Sequence, residues 1–450
     1  MEAGLVEKLS ATSAPRYTSY PTAPHFHAGV GSETYAGWLA SLAAGTSVSL
    51  YLHIPFCDTL CWFCGCNTKA TRHYAPVAEY LRALHQEIAL VGGMLPPGVV
   101  IRHIHWGGGS PTLLTAEDIS ALAAAIRRAF TVDRRTDFAV EIDPRGLSSE
   151  QTDALIAAGL TRASFGVQDF DRTVQQAINR IQSFNETKAV IEGFRRGGIM
   201  SINIDVLYGL PHQNLGRLTD TLLKVLSLDP DRIALFGYAH VPWMKKHQAM
   251  IMDADLPGAA ERFEQAQRAG DLIAARGYRR IGIDHFAKPE DPLAMAARAG
   301  RLRRNFQGYT ADESEVVIGL GASAIGRLPQ GFVQNIVPTR EYERQVGDGR
   351  LPVARGIELT REDRVRAYAI ERLMCDFSLR DADLRARFGA EADEVIAEAD
   401  RIAPSDYAGF VTREGGMLSV TEDGRPFVRL ICAAFDAYFG AGAARHSAAV

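Results

Sequence analysis

Ser47-Val-Ser-Leu-Tyr51-Leu-His-Ile54-Pro-Phe-Cys57-Asp-Thr-Leu-Cys61-Trp-Phe-Cys64-Gly-Cys66 carries the reading of this chain. Its first half is an apolar, strand-like run. Its second half is a loop with three cysteines at CxxxCxxC spacing and a fourth two residues on. Thiolates are soft ligands that favour iron–sulfur clusters, zinc and Cu(I). Zinc sites usually pair cysteines as CxxC and take four protein ligands. Four thiolates also hold the usual [4Fe-4S] cluster. A compact set of three suggests a cubane with one iron left without a protein thiolate, able to bind and activate a small molecule. Spacing favours a cluster over zinc, a disulfide pair or chance, and Cys66 leaves a four-ligand site open.

Six cysteines occur in 450 residues, and four fall within ten positions. In a large intracellular chain that pattern favours metal or catalytic chemistry over disulfides. The start, Met1-Glu-Ala-Gly-Leu-Val-Glu-Lys8, has no charged segment followed by an apolar one. No apolar run is long enough to span a bilayer. A cytoplasmic location is therefore expected. With 47% hydrophobic residues the chain can bury large cores, and its net charge of −4 argues against nucleic acid as a partner.

Working outward, strands alternate with helices. The expected strands are Ser47–Ile54, Ile101–Trp106, Phe138–Ile142, Arg162–Gln168, Ser201–Leu207 and Arg232–Ala239. Helices follow over Tyr74–Val91 and from caps at Thr115 and Ser148. Six such units in succession imply parallel α/β architecture, because parallel neighbours need helical crossovers. A closed or partly closed barrel puts ligand sites at the C-terminal strand ends. The unusual residues fall there: Cys57, the Gly107-Gly-Gly109 run, Glu141, Gln168, Asp205 and Ala239. Tyr51 and His53 alternate with apolar residues and can face the interior. Further on, Tyr278–Ile283 reads as a strand running into Asp284–Ala287, and Gly319–Gly326 as a glycine-rich turn. From Thr360 the chain reads as mostly helical, with a short hairpin over Gly409–Val420.

The cysteine spacing in this strand–loop setting resembles the cluster motif of radical S-adenosylmethionine (SAM) enzymes. More selectively, the chain resembles the oxygen-independent coproporphyrinogen III oxidases. The resemblance rests on Arg16-Tyr-Thr-Ser-Tyr-Pro-Thr22, Cys57 to Cys66, Trp106-Gly-Gly-Gly-Ser-Pro-Thr112, Glu141-Ile-Asp-Pro-Arg145 and Phe165-Gly-Val-Gln-Asp169. It continues through Asn203 to Pro211, Gly237 to Pro242, Asp284 to Ala287 and Arg304-Asn-Phe-Gln-Gly-Tyr-Thr310. Trp62 and Ser110 depart mildly from the family's usual Tyr and Thr.

The resemblance implies a radical SAM partial (β/α)6 barrel over 46–245 behind a substrate-closing extension over 1–45. A barrel-flanking α/β region over 246–355 and a C-terminal helical domain over 356–450 complete the division. It implies loss of two propionate carboxyl groups of coproporphyrinogen III as CO2, giving the vinyl groups of protoporphyrinogen IX through a 5′-deoxyadenosyl radical. The implied cofactors are a [4Fe-4S] cluster on Cys57, Cys61 and Cys64, and two SAM molecules. Tyr51, Gly108, Glu141 and Ile325 match contacts to the cluster-bound SAM. Phe63, Gly109, Ser110, Gln168, Arg180, Asp205 and Ala239 match contacts to the second. Tyr51, His53, Cys66, Phe306 and Gln307 are the expected catalytic positions. Arg16, Arg303 and Arg304 are candidates for substrate carboxylates, since Arg forks match carboxylate geometry. A reducing flavodoxin or ferredoxin suits the electron supply, and a monomer is implied. The alternative is a haem-binding or haem-transfer paralogue, whose relatives typically lack the fourth cysteine and the N-terminal segment.

Overall fold

The alternation of strand and helix produces a run of six parallel strands. The computed structural model describes residues 9, 12–404, 407 and 409–440; residues 1–8, 10 and 11 of the extension lie outside them. The strands are β1 (Ser47–Ile54), β2 (Val100–Gly108), β3 (Thr131–Ile142), β4 (Arg162–Gln168), β5 (Ser201–Tyr208) and β6 (Arg232–Gly237). They lie side by side in chain order, all parallel. Helices from Ala75–Met94 to Leu215–Ser227 make the five crossovers. Their starts follow local chemistry. Thr115 accepts a hydrogen bond from the Asp118 amide, and Ser148 forms a reciprocal cap with Gln151.

Side chains of alternate residues point to opposite faces of a strand. On the outer face Leu50, Leu52, Trp106, Val140, Phe165 and Ile204 are buried in one core with the crossover helices. The inner face is polar. Tyr51 is level with His105, and Glu141, Ser164 and Asn203 are level with one another. Parallel strands covered on both faces are ordinarily apolar throughout. A polar inner face marks a surface turned toward a cavity.

The sheet extends beyond these six strands. Hairpin strands β7 (Arg279–Ile281) and β8 (His285–Ala287) add to β6, and β9 (Val316–Leu320) pairs parallel with β1. Strands β10 (Ile325–Leu328), β11 (Gly331–Asn335) and β12 (Val353–Glu358) continue antiparallel from β9. The order β12-β11-β10-β9-β1-β2-β3-β4-β5-β6-β8-β7 leaves both edges open, so the barrel is partial. Helices from Arg361 onward form a second core, which includes Tyr17 and Tyr20 of the extension. No helix among the described residues is long and apolar enough to cross a membrane.

Several expectations change. Tyr278–Ala287 is a tight hairpin rather than one strand, because Gly282, at φ 56°, reverses the chain. Gly319–Gly326 contributes the ends of two strands, and the turn itself is confined to Gly321–Ala324. The sixth strand stops at Gly237, so Ala239 lies beyond it. A helix over Ser32–Ala40 and a third short strand, Ser378–Arg380, beside the C-terminal hairpin were not expected.

The Gly321–Ala324 turn is tied to the end of β1 from below. Glu87, 1% exposed, accepts hydrogen bonds from the Gly321 amide at 2.6 Å, Asn335 Nδ2 at 2.7 Å and Tyr342 Oη at 2.6 Å. Tyr80 Oη donates to the His53 carbonyl at 2.7 Å and accepts from the Ala322 amide at 2.9 Å. Burial pushes the Glu87 carboxyl up from 4.5 to about 7, against the lowering effect of those bonds. Between these values the native chain holds a proton at Glu87 that the unfolded chain has lost. Stability is therefore expected to fall as pH rises through this window, by about 3 kcal/mol for this group. Glu87→Gln, which cannot ionise, should flatten that part of the profile in urea unfolding. An unchanged slope would remove Glu87 as its source.

Candidate functional site

The cysteine loop is held by the seam between β1 and β2. The Gly109 amide donates to the Ile54 carbonyl at 2.8 Å, and the Ser110 amide to the Phe56 carbonyl at 2.7 Å. Three glycines make this approach possible. A Cβ on Gly107 would sit 2.5 Å from the Glu141 carboxylate. On Gly108 it would sit 2.5 Å from the His53 ring, and on Gly109 2.5 Å from the Phe56 carbonyl. Gly108 also has φ 107°, a conformation other residues rarely adopt.

A cavity of about 580 Å³ opens beside this seam. Tyr51, His53, Cys66, Gly108, Glu141 and Ile325 line it, together with Phe306 and Gln307 from the loop after Arg303–Asn305. The structure thus brings together, from five separate stretches of chain, every residue expected at the cluster-bound SAM and every expected catalytic position. His53 Nε2 is 2.8 Å from the Asn67 carbonyl, which can only accept, so Nε2 carries a hydrogen; Nδ1 is 2.9 Å from Tyr51 Oη, from which it accepts when the ring is neutral. Burial lowers the His53 pKa and so favours the neutral ring. Burial pushes the Glu141 carboxyl up, but bonds from His105 Nε2 at 3.2 Å and the Gly108 amide at 3.1 Å outweigh it and keep the group ionised.

The three cysteines of the CxxxCxxC motif stand in the loop before Cys66. The Cys57 sulfur is 3.2 Å from Thr68 Oγ1, and the Cys64 sulfur accepts from the Cys66 amide at 3.4 Å. The Cys61 sulfur faces two guanidiniums, Arg145 at 3.7 Å and Arg180 at 3.6 Å. Burial pushes the Cys57 thiol up to about 12, and charge on Cys64 and Cys61 adds to the shift. The hydrogen bond from Cys66 draws Cys64 down to about 7, and the same contact raises Cys66. Three thiols with two cations at hand suit a metal centre that needs thiolates. Among the described residues no three His, Cys, Asp or Glu side chains sit close enough for one ion. A cluster, which gives each thiolate its own iron, fits this donor set better than tetrahedral zinc.

Arg303 and Arg304 line the cavity too, whereas the residues expected at the second SAM do not. Arg180, 7% exposed, donates to the Gly166 carbonyl at 2.6 Å and Asp143 Oδ2 at 3.1 Å. Gln168 lies beside it at φ 68°. Asp205 accepts from Asn203 Nδ2 at 2.8 Å and is raised by burial to about 6. Phe63 packs with Trp62 against Val174, Ile178 and Leu207. Gly109 and Ser110 serve the seam, and Ala239 follows the end of β6.

Two family profiles match the chain: the radical SAM superfamily over residues 51–225 and the HemN C-terminal domain over 359–427. The oxygen-independent coproporphyrinogen III oxidase of Bradyrhizobium diazoefficiens is 48% identical over 450 residues, all of both chains. That of Cereibacter sphaeroides is 49% identical over 428 residues, 95% of each. The chain belongs to the oxygen-independent coproporphyrinogen III oxidases. The solved coproporphyrinogen III oxidase of Escherichia coli, described as a radical SAM enzyme, superposes with a TM-score of 0.90 at 38% identity. The match covers 94% of this chain and 98% of that one. The expected radical SAM α/β fold with a helical C-terminal region is borne out.

Sequence reasoning missed the segment that clamps the cysteine loop from above. Lys245 Nζ donates to the Cys66 carbonyl at 3.0 Å, His247 Nε2 to the Cys64 carbonyl at 2.7 Å and Gln248 Nε2 to the Phe63 carbonyl at 2.9 Å. Nothing in the spacing of these residues signals the contact, because it spans some 180 positions. The Asp143–Arg145 pair at 2.6 Å was also missed, although Arg145 closes a motif that the sequence singled out.

Gly109→Ala should lower stability by about 1–3 kcal/mol, because rigid backbone stands where the methyl would go. It should also reduce iron uptake on reconstitution. Gly65→Ala, with nothing within 4 Å of its Cβ, should change stability by no more than about 0.5 kcal/mol. Denaturation midpoints and iron assays check both.

Proposed function

We propose that this chain carries out the oxygen-independent oxidative decarboxylation of coproporphyrinogen III to protoporphyrinogen IX in haem biosynthesis. The observation that carries the reading is the meeting of Tyr51, His53, Cys66, Glu141, Phe306 and Gln307 around one cavity beside the three-cysteine loop. Family membership over the full chain length supports it.

The cofactors are a [4Fe-4S] cluster held by Cys57, Cys61 and Cys64, and SAM, with two SAM molecules bound. When bound, they supply the electron and the 5′-deoxyadenosyl radical that takes a hydrogen from the propionate carbon β to the carboxylate. Each propionate then loses CO2 and one further electron, leaving a vinyl group. The chain's own part is binding, orientation and exclusion of side reactions. Arg145 and Arg180 offset thiolate charge at Cys61. Glu141, held ionised, offers oxygens to an ammonium group or ribose hydroxyls. Tyr51 and His53 form a fixed pair on the cavity wall. Cys66 faces the cavity as a thiol, in keeping with a role other than cluster ligand. Gln168, Arg180 and Asp205 form the far side, where the second SAM is assigned together with Phe63, Gly109, Ser110 and Ala239. The N-terminal extension closes over the substrate. We further assign the chain to the cytoplasm as a monomer reduced by a flavodoxin or ferredoxin.

The test is anaerobic turnover of reconstituted protein with SAM, a reductant, an electron acceptor and coproporphyrinogen III, read by mass spectrometry. Protoporphyrinogen IX with methionine and 5′-deoxyadenosine is expected. SAM cleavage without CO2 loss would transfer the chain to another substrate. Cys66→Ser should keep the iron content of the wild type and lose turnover by about 10²-fold or more. Cys61→Ser should lose iron. Loss of iron in both would make Cys66 a ligand.

A further inference from the structure

The cavity beside the cysteine loop extends well past Tyr51, His53 and Glu141, and β10 forms part of its wall. Ile325 and Arg327 share the half-buried face of that strand, about 7 Å apart. Ile325 is the expected contact of the cluster-bound SAM, so Arg327 stands one step along the wall from that position. Directly opposite Arg327 on the neighbouring strands are Val317 and Phe332, which line the cavity as well. Phe306, 40% exposed, meets Phe332 edge to face with ring centroids 6.4 Å apart. Arg327 is therefore a cation set in an apolar wall.

Its bonding sets Arg327 apart. The carboxylates that line the cavity are Glu141, Asp312, Glu315 and Glu371, and each is engaged elsewhere. Glu141 accepts from His105 and the Gly108 amide, and Asp312 lies 3.0 Å from His103 Nε2. Glu315 is 3.4 Å from Arg387 and 3.8 Å from Arg303. Glu371 is 3.5 Å from Arg303 and 3.8 Å from Arg372. The remaining guanidiniums of the lining also have partners. Arg364 donates to the Pro329 carbonyl at 2.6 Å, and Arg304 donates to the Arg16 carbonyl at 3.4 Å and stacks on Tyr309. The Arg327 guanidinium makes no hydrogen bond and no ion pair among the described residues. Burial lowers its pKa; through space Glu371 and Glu315 raise it and Arg303 and Arg387 lower it.

A guanidinium withdrawn from bulk water with its donors unspent is stabilised when an acceptor meets it. Its fork matches a carboxylate through two parallel N–H···O bonds. The substrate carries carboxylates at the edge of an apolar ring, which is the pairing that Arg327, Phe332 and Phe306 present. Resting on the reading above, we propose that Arg327 anchors a propionate of the substrate that does not react. The ring lies against Phe306 and Phe332, and the reacting propionate points toward Tyr51 and Glu141. An ion pair on the reacting carboxylate would stabilise the anion and oppose its loss as CO2, so the anchored group is one that is retained. Arg303, singled out in the sequence, is held between Glu371 and Glu315 instead.

The test titrates three probes into the reconstituted full chain. They are coproporphyrin III, the oxidised fluorescent form of the substrate, its tetramethyl ester, and protoporphyrin IX, which keeps only the propionates that survive the reaction. Arg327→Gln should weaken binding of both acids by about tenfold or more and leave the ester unchanged. Arg327→Lys, which keeps the charge and loses the fork, should weaken the acids less. An unchanged cluster spectrum controls for folding. Acids bound as tightly by Arg327→Gln as by the wild type, or acids and ester weakened together, would overturn the anchor. A loss confined to coproporphyrin III would put a reacting carboxylate at Arg327 and overturn the assignment to a retained one. If the wild type converts coproporphyrinogen III in either case, the reaction stands without the anchor. A wild type that converts none overturns both.

Discussion

The close approach of β2 to β1 is the constraint on which the rest of the site depends. Two backbone hydrogen bonds, Gly109 to Ile54 and Ser110 to Phe56, close the seam, and the cysteine loop leaves directly from it. Side chains at 107–109 would push the strands apart or displace Glu141 and His53. The seam therefore sets at once where the thiols sit, where the His53 ring lies and where the Glu141 carboxylate points. Glu87 and Tyr80 brace it from the opposite side, through the Gly321–Ala324 turn and the His53 carbonyl.

Electrostatics divides the interior into regions with different tasks. Around Cys61, Arg145 and Arg180 supply positive charge that favours thiolates, and Asp143 holds both guanidiniums in place. Across the cavity, Glu141 stays ionised because its hydrogen bonds outweigh its burial, whereas Asp205, with fewer donors, is raised. Two carboxylates on one polar sheet face thus differ in proton affinity through local bonding alone. Further out, Arg16, Arg262, Arg304 and Arg429 line a second cavity together with Asp284 and Asp423. Its geometry depends on the extension, since Arg429 and Arg304 donate to the carbonyls of Ala14, Pro15 and Arg16.

Much of this was legible in the chain as written. The strands Ser47–Ile54 and Arg162–Gln168 begin and end where their patterns do, and Thr115, Ser148 and Thr360 cap the helices they announce. These are local effects, decided by alternation and by the nearest amides. The misreadings are non-local. The Tyr278–Ala287 hairpin depends on β8 finding β6, and Ser378–Arg380 is a strand only because Met417–Val420 lies beside it.

By itself the sequence determined the parallel α/β framework, the three-thiol motif and the family, because each rests on short-range periodicity or on contiguous motifs. The tertiary structure alone decided which residues share a cavity. It drew Phe306 and Gln307 to Tyr51 and turned Arg180 inward onto Cys61. It clamped the cysteine loop with Lys245, His247 and Gln248, and placed Arg303 and Arg304 in the first cavity while Arg16 lines a second one. Contacts between positions hundreds of residues apart follow from how packed strands and helices fill space, and no local pattern encodes them.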